Sequence, residues 1–148
     1  MNLTTTPGVL GEHPPVTKPH PGFYHEVGEE RFRKLVHDHY ELIRTSEIAF
    51  LFPVNDDDDF EQAKKNAGDF FIQICAGPDW FAQNRGKPQM VGRHAPFRID
   101  AKSRVIWLEL YRPLLEELEG EGINPEYIKS FWDYADIFSI WMINTPSK

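Results

Sequence analysis

Apolar residues recur along most of this chain at the spacing of an α-helix, and nowhere with the alternation of a strand. Phe32, Leu35, Val36, His39, Tyr40 and Ile43 fall at i, i+3, i+4, i+7, i+8 and i+11, the inward face of a helix that opens near Glu29. On that helix His39 and Tyr40 face inward, while His37, Asp38 and Glu41 face water. Ser46 caps a short turn through Phe50 and Leu51, which stops at Phe52 because the residue before a proline avoids the α region. Asp56 to Asp59 cluster where a helix N-terminus favours negative charge. The helix they open carries Phe60, Ala63, Ala67, Phe70, Phe71 and Ile74 and ends at Gly77-Pro78. Asp100 reads as the N-cap of a further helix bearing Trp107, Leu108, Tyr111, Leu114, Leu115 and Leu118, kinked at Pro113. Asn124-Pro125 starts a last helix that buries Ile128, Phe131, Ala135, Phe138 and Met142. The expected fold class is all-α.

Two stretches break the pattern. Residues 1–22 hold Pro7, Pro14, Pro15, Pro19 and Pro21 with few large apolar side chains. They read as a flexible, extended arm ahead of a single domain over 23–148. Residues 77–93 show no period and read as a long loop, with a short helix ending near His94. That loop carries Trp80, Phe81 and Met90, which suit an apolar partner better than water.

Composition narrows the function classes. The 148 residues suffice for one sizeable core, and 11 Phe, 5 Tyr and 4 Trp supply either dense packing or a pocket walled by flat rings. Sixteen basic residues against 23 acidic ones, a formal charge of −7, exclude nucleic acid and anionic membrane as the main partner. The lone Cys75 rules out an intrachain disulfide and fits a reducing compartment; with no apolar span and no secretory start, a cytoplasmic protein is expected. The HExxH, CxxC, GxSxG and glycine-rich phosphate motifs are all missing. Asp56–Asp59 lacks the spaced ligands and turn glycine of a calcium loop, and His13 and His20 are too sparse for a metal site.

What remains is His94, leaving an aromatic-bearing loop, with Tyr40 and Trp107 on the apolar faces of two other helices. A planar apolar cofactor with one axial imidazole accounts for all three, as does the blander reading of a surface histidine and two core aromatics. Motif order weighs between them. Phe23-Tyr24, Val27-Gly28, His39-Tyr40, Phe52-Pro53, Gly77-Pro78 and Arg85-Gly86-Lys87-Pro88 are followed by Arg93-His94-Ala95-Pro96-Phe97-Arg98-Ile99, with Trp107 thirteen residues beyond His94. In this order, over about residues 23–144, the chain resembles the truncated haemoglobins, the short two-over-two helical globins, and specifically their second group.

The resemblance implies a two-over-two helical sandwich around haem b, with His94 as proximal ligand to a pentacoordinate iron. It implies Tyr40 and Trp107 as distal hydrogen-bond donors, with Ala63 and Ala67 beside them. Phe52, Phe70, Phe71, Phe81, Met90 and Phe97 would wall the haem, and Arg93 and Lys64 would pair with its propionates. His39 stands where an aromatic hydrocarbon is usual, and three roles are open to it: donor to Tyr40, iron ligand in a closed state, or space-filler. The implied function is reversible binding of dioxygen and other diatomic ligands. Two rivals stand beside it. One is a haem redox enzyme, a nitric oxide dioxygenase or peroxidase served by a separate reductase; the other is a haem-free helical interaction module. The oligomeric state is left open between monomer and homodimer.

Overall fold

Helix punctuation written into the sequence divides the described residues, 1–147 of a computed structural model, into eight α-helices with no strand among them. Lys148, the last residue of the expected domain, lies outside the described residues. The helices are α1 (Pro21–Val27), α2 (Glu29–Arg44), α3 (Asp57–Ile74), α4 (Trp80–Arg85), α5 (Met90–His94), α6 (Ala101–Glu109), α7 (Arg112–Gly120) and α8 (Pro125–Trp141), with a 3-10 turn at Ala49–Leu51. Asp56 caps α3 by accepting from the Asp59 N–H, and Asp100 caps α6 by accepting from Ser103 at 2.7 Å. Asn124 caps α8 with Pro125 in its first turn, as the sequence predicts.

Two helix pairs form the sandwich: α2 packs on α3, and α6 on α8. Their shared core is aromatic. Phe32 and Phe71 both meet Phe131, at 6.0 and 5.6 Å between ring centroids, so each pair is welded to the other through α8. The inward positions predicted for α2 are fully buried at Phe32, Leu35, Val36, His39 and Ile43.

Three expectations need correcting. The helix read from Asp100 to Leu118 is two helices. Pro113 has no N–H to give the Glu109 carbonyl and its ring collides with that group, so the chain breaks before it and restarts at Arg112. The loop 77–93 contains α4, whose six residues are too few to show a period. The arm is extended but docked: the Thr4 carbonyl accepts from the Trp132 indole at 2.7 Å, and the Pro14 carbonyl accepts from Trp141 at 2.8 Å. Leu3 enters the core cluster. Thr6 reaches a buried Arg104–Asp136 ion pair, its N–H and hydroxyl donating to the two Asp136 oxygens at 2.9 and 2.7 Å and its carbonyl accepting from Arg104.

Candidate functional site

Helix α5 is short, and His94 stands at its last position, where the Nδ1 atom lies 2.7 Å from the Met90 carbonyl oxygen. A carbonyl only accepts, so Nδ1 carries the proton and Nε2 keeps a free lone pair. Burial lowers the His94 pKa against the opposing pull of the Met90 hydrogen bond, so the neutral ligand form is favoured. His94 lines a cavity of about 320 Å³.

The same cavity is lined by Tyr40 from α2 and Trp107 from α6. The Tyr40 ring meets Phe52 edge-on at 5.4 Å and Phe60 at 5.7 Å. Burial raises its pKa, so the phenol stays a proton donor at neutral pH. Trp107 sits edge-on to His39 at 5.3 Å and to Tyr111 at 5.4 Å, with Phe71 nearly parallel at 6.4 Å. Phe52, Ala63, Ala67, Phe70, Phe71, Phe81, Met90, Arg93 and Phe97 complete the predicted residues that the structure brings to this space. Ala63, Ala67, Phe70 and Phe71 share it because they fall at i, i+4, i+7 and i+8 on α3.

Two predicted residues lie elsewhere. Lys64, one step around the helix from Ala63, turns away from the cavity toward α2. There its ammonium pairs with Glu41 at 2.8 Å and Glu61 at 2.9 Å, donates to His37 and sits over the Phe60 ring. Its charge is thus held by carboxylates outside the cavity. His39 is wholly buried behind the cavity wall, its ring stacked on Tyr111 at 3.6 Å and its Nε2–H donating to the Trp107 carbonyl at 2.8 Å. Its imidazole therefore neither reaches the cavity nor donates to Tyr40. Arg93 also differs from expectation: Nε donates to the Pro88 carbonyl, and Nη2 to those of Arg85 and Lys87, at 2.6 to 2.9 Å. It clamps the loop before α5, and only Nη1 is left for an outside partner.

Sequence reasoning missed Arg85, Tyr111 and Arg104, which also line the cavity. Arg85 is exposed, and its guanidinium pairs with no acidic group among the described residues. Tyr111 was legible as core, but its hydroxyl is buried without a partner among the described residues. Arg104 carries no sequence signal, since a charge on a helix ordinarily marks a solvated face.

His39 gives a pH expectation. Burial lowers its pKa from 6.5 to about 3, against the raising effect of the Trp107 carbonyl. The unfolded chain therefore takes up a proton below about pH 6.5 that the folded chain refuses, and stability falls with pH through that window. The urea midpoint of the apoprotein is expected to drop from pH 6.5 to pH 4, and to drop less steeply in His39→Phe. Equal slopes would show that other groups govern acid unfolding.

Flat apolar walls, an imidazole nitrogen free of its proton and a cation free to pair at Arg85 are what haem requires, and these residues fit it.

Comparison with known proteins agrees with the geometry. The family model described as bacterial-like globin matches residues 22–144. The group 2 truncated haemoglobin YjbI of Bacillus subtilis (strain 168) is 30% identical over 105 residues, 71% of this chain and 77% of that one. Two-on-two hemoglobin-3 of Arabidopsis thaliana is 27% identical over 94 residues; the match covers 64% of this chain and spans 54% of the plant protein's length. Among solved structures, phosphate-bound Hell's gate globin IV superposes with a TM-score of 0.85 at 34% identity, over 93% of this chain and 83% of that one. A family match over most of the chain, on an all-helical fold with an aromatic cavity, means that the protein belongs to the bacterial-like globins, among the group II truncated haemoglobins, whose business is haem-based ligand binding.

Proposed function

We propose that the cavity holds haem b with its iron on Nε2 of His94, and that the protein binds dioxygen and other diatomic ligands reversibly on the side faced by Tyr40 and Trp107. The observation that carries this reading is the 2.7 Å contact from His94 Nδ1 to the Met90 carbonyl, which leaves Nε2 as the free nitrogen. When bound, haem supplies a ferrous iron with one open coordination position.

The chain's own groups do the rest. The Met90 carbonyl fixes the His94 tautomer and ring orientation and makes the imidazole a better donor of its lone pair. Tyr40 offers an O–H and Trp107 an N–H to a ligand in the cavity, whereas Ala63 offers no polar atom. The rings of Phe52, Phe70, Phe71 and Phe81 keep the space apolar. Arg85 and the remaining Nη1 of Arg93 serve the propionates, with Lys64 committed elsewhere. His39 is turned from the cavity, which favours a pentacoordinate resting iron over closure by a sixth protein ligand.

Absorption spectra of haem-loaded protein test the reading. A high-spin ferrous spectrum that converts to a stable dioxygen complex is expected, and a low-spin ligand-free spectrum would overturn pentacoordination. Trp107→Phe removes one donor to a polarised ligand, a bond worth about 1.5–3 kcal/mol. It is expected to speed dioxygen release by about tenfold or more, with carbon monoxide release moving less. An unchanged dioxygen rate would assign the distal stabilisation to Tyr40 alone.

A further inference from the structure

We propose that His39 is a positioning residue for Trp107: its Nε2–H caps the Trp107 carbonyl, which the α6–α7 break leaves without a helical donor, and so fixes the aim of the indole N–H into the cavity. The inference rests on the reading of Trp107 as a distal donor.

The break sets up the need. In an unbroken helix the Tyr111 N–H would donate to the Trp107 carbonyl. Here the Tyr111 N–H donates instead to Leu108 at 3.0 Å, and Leu110 to Ile106 at 3.1 Å. The Trp107 carbonyl thus has no backbone donor, deep in a wall where an unpaired acceptor is costly. His39 supplies the donor from α2 at 2.8 Å. The carbonyl can only accept, so the ring is the Nε2–H tautomer, and Nδ1 is left buried without a partner among the described residues.

The contact also fixes direction. The stacked rings of His39 and Tyr111 lie at 86° and 84° to the indole, and the ring of Phe71 lies nearly parallel to it. A phenyl ring at position 39 keeps the volume and the stacking on Tyr111 but cannot hold the carbonyl. The tip of Trp107 then gains freedom at the point where its hydrogen bond to a ligand is most sensitive to angle.

Dioxygen release from haem-loaded His39→Phe, His39→Gln, Trp107→Phe and the His39→Phe/Trp107→Phe double variant tests this. His39→Phe is expected to release dioxygen about threefold or more faster. Glutamine, whose amide nitrogen reaches the place of Nε2, is expected to restore the rate to within about twofold. In the Trp107→Phe background His39→Phe is expected to add nothing. Imidazole ¹⁵N NMR of the apoprotein gives a readout free of ligand kinetics: an Nε2–H tautomer with a slowly exchanging proton is expected. Additive effects, a glutamine variant no better than phenylalanine, or an Nδ1–H tautomer overturn the proposal alone. A Trp107→Phe protein with the wild-type rate overturns the distal reading of Trp107 and the proposal with it.

Discussion

His94→Ala is expected to strip the protein of haem. His39 is turned toward the Trp107 carbonyl, and His13, His20, His25 and His37 are exposed on other elements, so none of them can take over as ligand. Loss of a partner that merely orients a ligating histidine costs about 10- to 100-fold in metal affinity, and loss of the ligand costs more. The check is the ratio of Soret to protein absorbance after gel filtration of reconstituted protein. Wild type is expected to retain one haem per chain, and His94→Ala to retain little. Free imidazole, small enough for the space vacated beside Met90, is expected to restore part of the Soret band. Full retention with an unchanged proximal spectrum would place the iron ligand elsewhere.

The largest expected effect on folding comes from Asp136→Ala. Arg104 and Asp136 are 2% and 4% exposed, which puts their ion pair in the interior. Replacing such a pair by apolar groups is often neutral, but removing one partner strands a buried charge and costs about 3–5 kcal/mol. Against a total stability of about 5–15 kcal/mol, that loss is severe. Arg104 would keep Ser139 Oγ at 2.9 Å and the Thr6 and Asp136 carbonyls, which accept its N–H groups but do not neutralise it. Thr6 would lose both acceptors for its N–H and hydroxyl. Urea unfolding is expected to show the loss, with faster proteolysis of residues 1–20 in the folded variant. Asp136→Asn, which keeps most of the shape, separates charge from packing. A loss below about 1 kcal/mol in both variants would show the pair to be surface-like in energy.

How much of this was legible in the sequence depended on whether a residue's partner was local. Asp56, Asp100 and Asn124 announce their helices because a cap bonds within three residues of itself. The faces of α2 and α3 were legible because periodicity is a local geometry, and with them Tyr40, Ala63, Ala67, Phe70 and Phe71 of the cavity wall. Lys64 was misplaced by a single step of about 100° around α3, a step that only the position of Glu41 on another helix decides. The clamp by Arg93 and the contact from His39 both end on backbone carbonyls, which every residue carries and no pattern marks. The arm was misread for the same reason. With few apolar side chains to announce burial, it is held by its own carbonyls at Thr4, Thr6 and Pro14.

That docking means that the stretch matched by the family model and the stretch that folds have different lengths. The family match begins at residue 22. A chain trimmed to that boundary would leave the Trp132 and Trp141 indoles without acceptors and Arg104 without Thr6. Arg104 also lines the cavity, so the trimming would be felt there as well as at the surface. The family model sets one border for this protein and hydrogen-bond closure sets another, some twenty residues upstream.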